Sequence, residues 1–327
     1  MSGKLKLDFS IPWIEKYRPK KIDELILEDI ISKQIEFFLK NIENTHLIIT
    51  GQPGVGKTST VKCIARETLK DNLNSGYLEM NAAEDRGVRS ISLTIPKFCK
   101  RLVNFKESKI ILLDEADNMT SKCQHDINEM IKLYGKKTKF IFTCNDSTKI
   151  EEDIQSVCRI IRFKKLTNEQ IKKYLIKICT TENVTYTNSG LSAICYIADG
   201  DMRKAINSLQ LTVFSHEKVN KDNVLNVCKF PDPEEVRKIM VMCFDKDLIK
   251  SNNALEIMID QGYHYPDIIN GFGYVLSNYK EINEELKLQL ISIVNQTKIT
   301  ISLGLRTKVQ LVAMLCRFIK QIQYCIE

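Results

Sequence analysis

Short, continuously apolar runs punctuate the first half of the chain, whereas helical spacing governs the second half. Leu47-Ile48-Ile49, Lys109-Ile110-Ile111-Leu112-Leu113 and Lys139-Phe140-Ile141-Phe142-Thr143-Cys144-Asn145 are too short and too continuously apolar for surface helices. They read as strands of a parallel sheet buried on both faces. Across residues 1–165 they alternate with helical signals, one running from Thr58 to about residue 70, as an α/β domain requires. Three helical patterns follow, over 168–179, 189–197 and 202–214, and predict a small helical lid spanning 166–230. Pro231 and Pro233 then break the chain, because proline cannot continue a helix. From 231 to 327 the pattern is helical throughout. Leu286-Lys287-Leu288-Gln289-Leu290 alternates briefly like a strand, but Leu286, Leu290, Ile293 and Val294 share one helical face, so a helix is predicted. The last helix is expected over 307–324.

The loop after the first run carries the chemistry. Gly51-Gln52-Pro53-Gly54-Val55-Gly56-Lys57-Thr58-Ser59 fills the template G-x-x-x-x-G-K-[ST]. Glycines let backbone N–H groups turn inward around phosphate oxygens, and the following helix points its positive dipole end at the same anion. Lys57 is placed to reach the β- and γ-phosphates of a nucleoside triphosphate, and the Thr58 hydroxyl to ligate Mg²⁺. The plainer alternative, a glycine-rich turn that binds nothing, does not explain why strand, loop and helix signals agree. The second run ends in Asp114-Glu115-Ala116-Asp117, which places carboxylates at the C-terminal end of a strand, where α/β folds bind ligands. Asp114 suits Mg²⁺, and Glu115 suits a general base acting on water.

Asn145 stands at the tip of the third run, where its amide can meet a γ-phosphate or the attacking water. In isolation it would be ordinary turn chemistry. Gly200-Asp201-Met202-Arg203 reads as a turn, a candidate N-cap and a helix with Arg203 in its first turn. An arginine there opposes the helix dipole, which points to an anionic partner such as phosphate.

Composition narrows the setting. The 327 residues carry enough apolar content for two or three domains with real cores. No apolar run reaches the ~18 residues of a membrane span, and the N-terminus is short, charged and polar, so neither membrane nor export is expected. Eleven cysteines are scattered singly, which argues against zinc ribbons and a disulfide framework and for reduced thiols in an intracellular protein. The formal charge of +7 is modest and fits solubility as readily as nucleic-acid binding.

In their order and spelling these motifs resemble those of the replication factor C small subunits, AAA+ sliding-clamp loaders. Pro12-Trp13-Ile14-Glu15-Lys16-Tyr17-Arg18-Pro19 is similar to the family's N-terminal signature against the adenine, which implies base contacts from Pro12, Tyr17 and Arg18. Met80-Asn81-Ala82-Ala83-Glu84-Asp85-Arg86-Gly87 resembles its N-A-S-x-x-R-G element. The resemblance makes Asn145 the first sensor and Arg203 the γ-phosphate-sensing arginine. It implies a P-loop AAA+ domain with a helical lid, followed by an all-α collar, and ATP with Mg²⁺ as cofactors. The implied partners are other clamp-loader subunits in a hetero-pentamer, a sliding clamp (PCNA) and primer-template DNA. The expected location is the nucleus in a eukaryote or the replication compartment of a virus. The similarity runs from about residue 10 to about residue 235 and weakens beyond.

Alternatives of other kinds stay open at this point. The letters Asp114 to Asp117 spell the helicase box DEAD, but a second ATPase-like domain has no room here. A branch-migration motor shares the P-loop but not the Trp13 box or the all-helical tail. A mainly structural ATP-binding ring subunit is the remaining alternative, and it draws on one departure. The family places an arginine finger in Ser-Arg-Cys, whereas this chain has Gln155-Ser156-Val157-Cys158-Arg159. On an extended segment Arg159 would lie on the same side as Val157 but about 6–7 Å further along. Either Arg159 substitutes through a shifted loop, or this subunit does not complete its neighbour's site, and the second is expected.

DNA contact is expected from Arg86 and Arg89, three apart near a helix start, and from Lys149, with Lys97, Lys100 and Arg101 as a second basic stripe. Each singly could equally be a solvated surface charge. Ile95, Phe98 and Leu102 repeat at helical spacing and could meet the clamp or the core.

Overall fold

A computed structural model describes residues 11–42, 45–82, 88–101 and 108–324, and within 88–92 the backbone alone. Arg86, Leu102 and the side chain of Arg89 lie outside the described residues. The chain divides into two compact units, one of Met1–Tyr186 with Ile194–Gln210 and one of Thr187–Ala193 with Leu211–Glu327.

The first unit opens with α1 (Trp13–Lys16) and α2 (Asp29–Lys40) and then enters the sheet at β1 (His46–Gly51). The order continues α3 (Lys57–Leu69), α4 (Leu73–Gly76), β2 (Tyr77–Asn81), α5 (Val88–Lys100), β3 (Lys109–Asp114) and α6 (Ser121–Tyr134). β4 (Thr138–Cys144), α7 (Glu152–Val157), β5 (Cys158–Phe163) and the lid helix α8 (Asn168–Thr181) complete this stretch. Two more lid helices, α9 (Asn188–Ala198) and α10 (Met202–Ser215), straddle the division between the units.

These five strands form one sheet in the order β2-β3-β4-β1-β5, with every pair parallel. Successive strand residues point to opposite faces, and both faces here are covered. Ile48, Ile111, Leu113, Phe140 and Phe142 fill one core, while Leu47, Ile49, Ile110, Leu112 and Ile141 fill the other. That double burial is why the strands read as unbroken apolar runs. Because all strands run the same way, the C-terminal ends of β1, β3 and β4 meet along one edge, bringing Gly51, Asp114 and Asn145 together.

Two lysines that open strands are buried rather than solvated. Lys109 Nζ donates to the carbonyls of Phe98 at 2.8 Å, Cys99 at 3.0 Å and Arg101 at 2.5 Å. Lys139 Nζ donates to those of Gly135 at 2.5 Å and Lys136 at 3.3 Å. The last carbonyls of a helix lack intrahelical partners and carry its negative dipole end. Each lysine therefore anchors the close of the helix before its own strand, α5 for β3 and α6 for β4.

The second unit is helical: α11 (Lys221–Cys228), α12 (Pro233–Phe244), α13 (Leu248–Asp260), α14 (Tyr265–Asn278), α15 (Glu284–Ser302) and α16 (Lys308–Tyr324). Leu290 and Val294 face its core, with Leu286 half-buried beside them, so the ambiguous alternating stretch is the start of α15. Phe272 and Phe318 meet edge to face at 6.1 Å in the same core. Asp232 caps α12 through the Glu234 N–H, and Pro233 occupies the first turn, where no N–H is needed. Among the described residues no helix is long and apolar enough to cross a membrane.

Candidate nucleotide-binding site

The phosphate end of the site is built where β1 passes into α3. Gly56, at φ 96°, is the N-cap of α3, a left-handed conformation that costs glycine little. The first-turn N–H groups of α3 are thereby left facing the loop, as an anion site requires. Lys57 Nζ donates to the carbonyls of Gly51 at 2.6 Å and Gln52 at 2.9 Å and to Asn145 Oδ1 at 2.9 Å. Those three bonds use all the donors of the ammonium. Burial, reinforced by the Arg203 guanidinium, pushes the Lys57 ammonium below the usual lysine range, with Asp114 and Asp117 opposing.

The Thr58 hydroxyl lies 3.1 Å from each carboxylate oxygen of Asp114. A hydroxyl and a carboxylate converging in this way form the hard oxygen donor set that suits Mg²⁺. The Thr143 hydroxyl also donates to Asp114 Oδ1, and that same hydroxyl accepts the Glu115 N–H at 3.3 Å. Glu115 sits at φ 55°, ψ 42°, a left-handed conformation uncommon for such a side chain. Its carboxylate accepts from Asn118 Nδ2 at 3.2 Å. Asp117 Oδ2 accepts the Asn145 N–H at 3.3 Å, while Asp117 Oδ1 is buried with no hydrogen-bond partner among the described residues.

The lid closes over the loop at its other end. Asp201 caps α10, accepting from the N–H groups of Arg203 at 2.8 Å and Lys204 at 3.2 Å. The Met202 N–H donates to Gly54 O at 3.1 Å, so the phosphate loop and the arginine-bearing helix are joined backbone to backbone. A pocket lined by Pro53, Lys57, Thr58, Asp114, Asn145 and Arg203 among others lies between them. A second, more apolar pocket adjoins it, with Ile14, Tyr17, Arg18, Tyr174 and Ile206 in its walls. Gly54, Gly56, Thr58 and Arg203 line both. A polar compartment holding Lys57 and Arg203, which suits a polyanion, beside an apolar one matches the two ends of a nucleoside triphosphate.

The residues singled out in the sequence fall into three groups. Pro53, Gly54, Gly56, Lys57, Thr58, Asp114, Glu115, Asn145 and Arg203 line the phosphate-end pocket. Tyr17, Arg18, Val55 and Ser59 line the apolar one. Pro12, by contrast, is exposed and lines neither, while Gly51 and Gln52 take part only through their carbonyls on Lys57. Lys149 is exposed near the tip of β4, and Ile95 is buried in the core. One expectation needs correction. The stretch before Arg159 is not extended: α7 runs to Val157, and β5 starts at Cys158. Same-side reasoning by alternation therefore fails. Arg159 lies on β5 with its guanidinium 4.6 Å from the Phe37 ring centroid. Sequence reasoning also passed over Thr143, although it lies two before Asn145 and is polar directly after the apolar run Phe140-Ile141-Phe142. It missed Tyr174 and residues 24–27 as well, because the apolar pocket gathers them from separate segments.

A parallel sheet with P-loop, acidic strand end, strand-tip amide and lid arginine defines a P-loop ATPase of the AAA+ class. The model of the AAA family, ATPases associated with various cellular activities, matches residues 47–166, and that of the replication factor C C-terminal domain matches 231–317. The chain is 62% identical to a putative replication factor C small subunit of Acanthamoeba polyphaga mimivirus, over 96% of this chain and 98% of that relative. It is 37% identical to replication factor C subunit 4 of Saccharomyces cerevisiae, over 96% and 97% respectively. An archaeal small subunit, from Methanothermobacter thermautotrophicus, is 34% identical over 94% of this chain. Among solved structures, the Thermotoga maritima RuvB Holliday junction branch migration motor superposes with TM-score 0.55 at 17% identity, covering 79% of this chain and 92% of that one; that likeness speaks to fold alone. The chain belongs to the replication factor C small-subunit family.

Proposed function

We propose that this chain is an ATPase subunit of a hetero-pentameric clamp loader, which opens a sliding clamp of the PCNA kind and loads it onto primer-template DNA. The observation that carries the reading is the gathering of Lys57, Thr58, Asp114, Glu115, Asn145 and Arg203 around one pocket, in a chain so similar to named replication factor C small subunits. Lys57 and Arg203 bind and orient the triphosphate. Thr58 and Asp114 would hold Mg²⁺, which when bound neutralises phosphate charge. Glu115 takes a proton from the attacking water, and Asn145 positions that water or the γ-phosphate. DNA is engaged through its backbone by exposed cations, among them Lys149, Lys97 and Lys100, with the steep salt dependence such contacts carry.

The test is reconstitution with partner subunits and clamp, followed by measurement of ATP-dependent clamp retention on primed circular DNA. Loading that persists unchanged when this chain carries Lys57→Ala would overturn the reading. One observation favours a second reading, a ring member that binds ATP but stimulates no neighbour: the finger position is Val157, an exposed apolar residue closing α7.

A further inference from the structure

The apolar compartment takes one wall from the short segment that holds Tyr17, Arg18 and Pro19, and the ties of that segment run mainly to the lid. Lys16 Nζ donates to Glu182 Oε1 at 2.6 Å, and the Tyr17 hydroxyl donates to the same oxygen. The Tyr174 hydroxyl, on α8, donates to Tyr17 O. The Trp13 N–H donates to Gln210 Oε1, on α10, at 3.0 Å. The tie to α3 is weaker, a thiol contact from Cys63 Sγ to Pro19 O at 3.4 Å.

Glu182 is the node of this arrangement. Its side chain is only 9% exposed, and it forms the C-cap of α8. A carboxylate at a helix C-terminus opposes the macrodipole, so helix stability does not account for an acid there. Lys16 and Tyr17 do account for it. Burial, with the Glu182 bond next, also pushes the Tyr17 phenol above its ordinary range.

We propose that Glu182 is a positioning residue for the nucleotide base: it fastens the Tyr17 wall to α8, so that the base wall and the phosphate-sensing Arg203 travel together on the lid. This rests on the reading that the pocket takes ATP. Base binding and lid closure then become one event, and the affinity contributed by the base depends on a residue that does not touch it.

The experiment is calorimetric titration of the full chain with Mg·ATP and, separately, with Mg·tripolyphosphate, which lacks base and sugar. Glu182→Ala is expected to weaken Mg·ATP about tenfold, the scale of a bond to a charged group, and to leave tripolyphosphate within about twofold. Glu182→Gln keeps an acceptor for Tyr17 and is expected to restore most of the loss. Tyr17→Phe should weaken ATP in the same direction, and the pair Glu182→Ala with Tyr17→Phe should be no weaker than Glu182→Ala alone. Unchanged ATP affinity, equal loss for both ligands, or fully additive losses in the pair would each overturn the proposal. Should Glu182→Ala not fold, Tyr17→Phe and Glu182→Gln decide the matter by the same comparison of ligands. A wild-type chain that binds neither ligand would instead remove the ATP reading itself.

Discussion

Gly54 occupies a position the phosphate-loop template leaves free, yet the structure gives it no room for a side chain. Its φ is +72°, and an added Cβ would stand 1.8 Å from Asp201 Oδ1 and 2.2 Å from Asp201 Cγ. Asp201 cannot retreat freely, because that same oxygen caps α10 through the N–H groups of Arg203 and Lys204. Gly54→Ala therefore meets two costs. Holding alanine in a left-handed conformation costs about 1–2 kcal/mol, and displacing the cap costs about 1 kcal/mol. A loss of about 2–3 kcal/mol corresponds to a fall of roughly 5–10 °C in the melting temperature of a unit this size. Nucleotide binding should weaken too, since the shifted helix carries Arg203. Calorimetric melting and titration with a fluorescent ATP analogue measure both effects. The clash itself is isolated by repeating the substitution in an Asp201→Ala background, where alanine at 54 should cost only its backbone strain, about 1–2 kcal/mol. An equal cost in both backgrounds, or wild-type melting and affinity for Gly54→Ala, would refute the reasoning.

Three further outcomes are expected. Lys57→Ala should abolish Mg·ATP binding, whereas Glu115→Gln should bind normally and fail in turnover; equal loss of affinity in both, by titration, would show the two roles to be misassigned. His46 accepts the Phe140 N–H at Nδ1, and burial, with Lys139 nearby, lowers its pKa to about 4. The unfolded chain therefore takes a proton near pH 6.5 that the folded one refuses, so stability is full above that pH and declines toward pH 4 by at most about 3 kcal/mol. His46→Asn should flatten that slope in melting curves across this range. In the reconstituted ring, Val157→Arg should raise ATPase activity while Arg159→Ala changes it little. Loss of turnover by about 10³–10⁵ at one site in Arg159→Ala would show that Arg159 has taken the finger's place.

What the sequence made legible is what local rules control. Short apolar runs became strands because both faces of the sheet are covered, and Asp201 was readable as a cap because capping acts within one turn. Glu115, Asn145 and Arg203 were readable because their positions at element ends follow from the order of elements. What stayed hidden depends on contacts between distant segments. Lys109 and Lys139 look like polar strand openings, and only the fold reveals that their heads close the preceding helices. The clash at Gly54 and the bonds of Glu182 join residues more than a hundred positions apart, which no periodicity records. The segment before Arg159 shows the limit from the other side. Its six-residue helix α7 is too short to form unaided. Burial of Ile154 and two bonds from Gln155 Nε2, to Ser147 O at 3.0 Å and Ile150 O at 2.7 Å, hold it in place. Val157 stands at the end of that helix and Arg159 lies over Phe37, so where these two side chains stand is set by packing rather than by propensity.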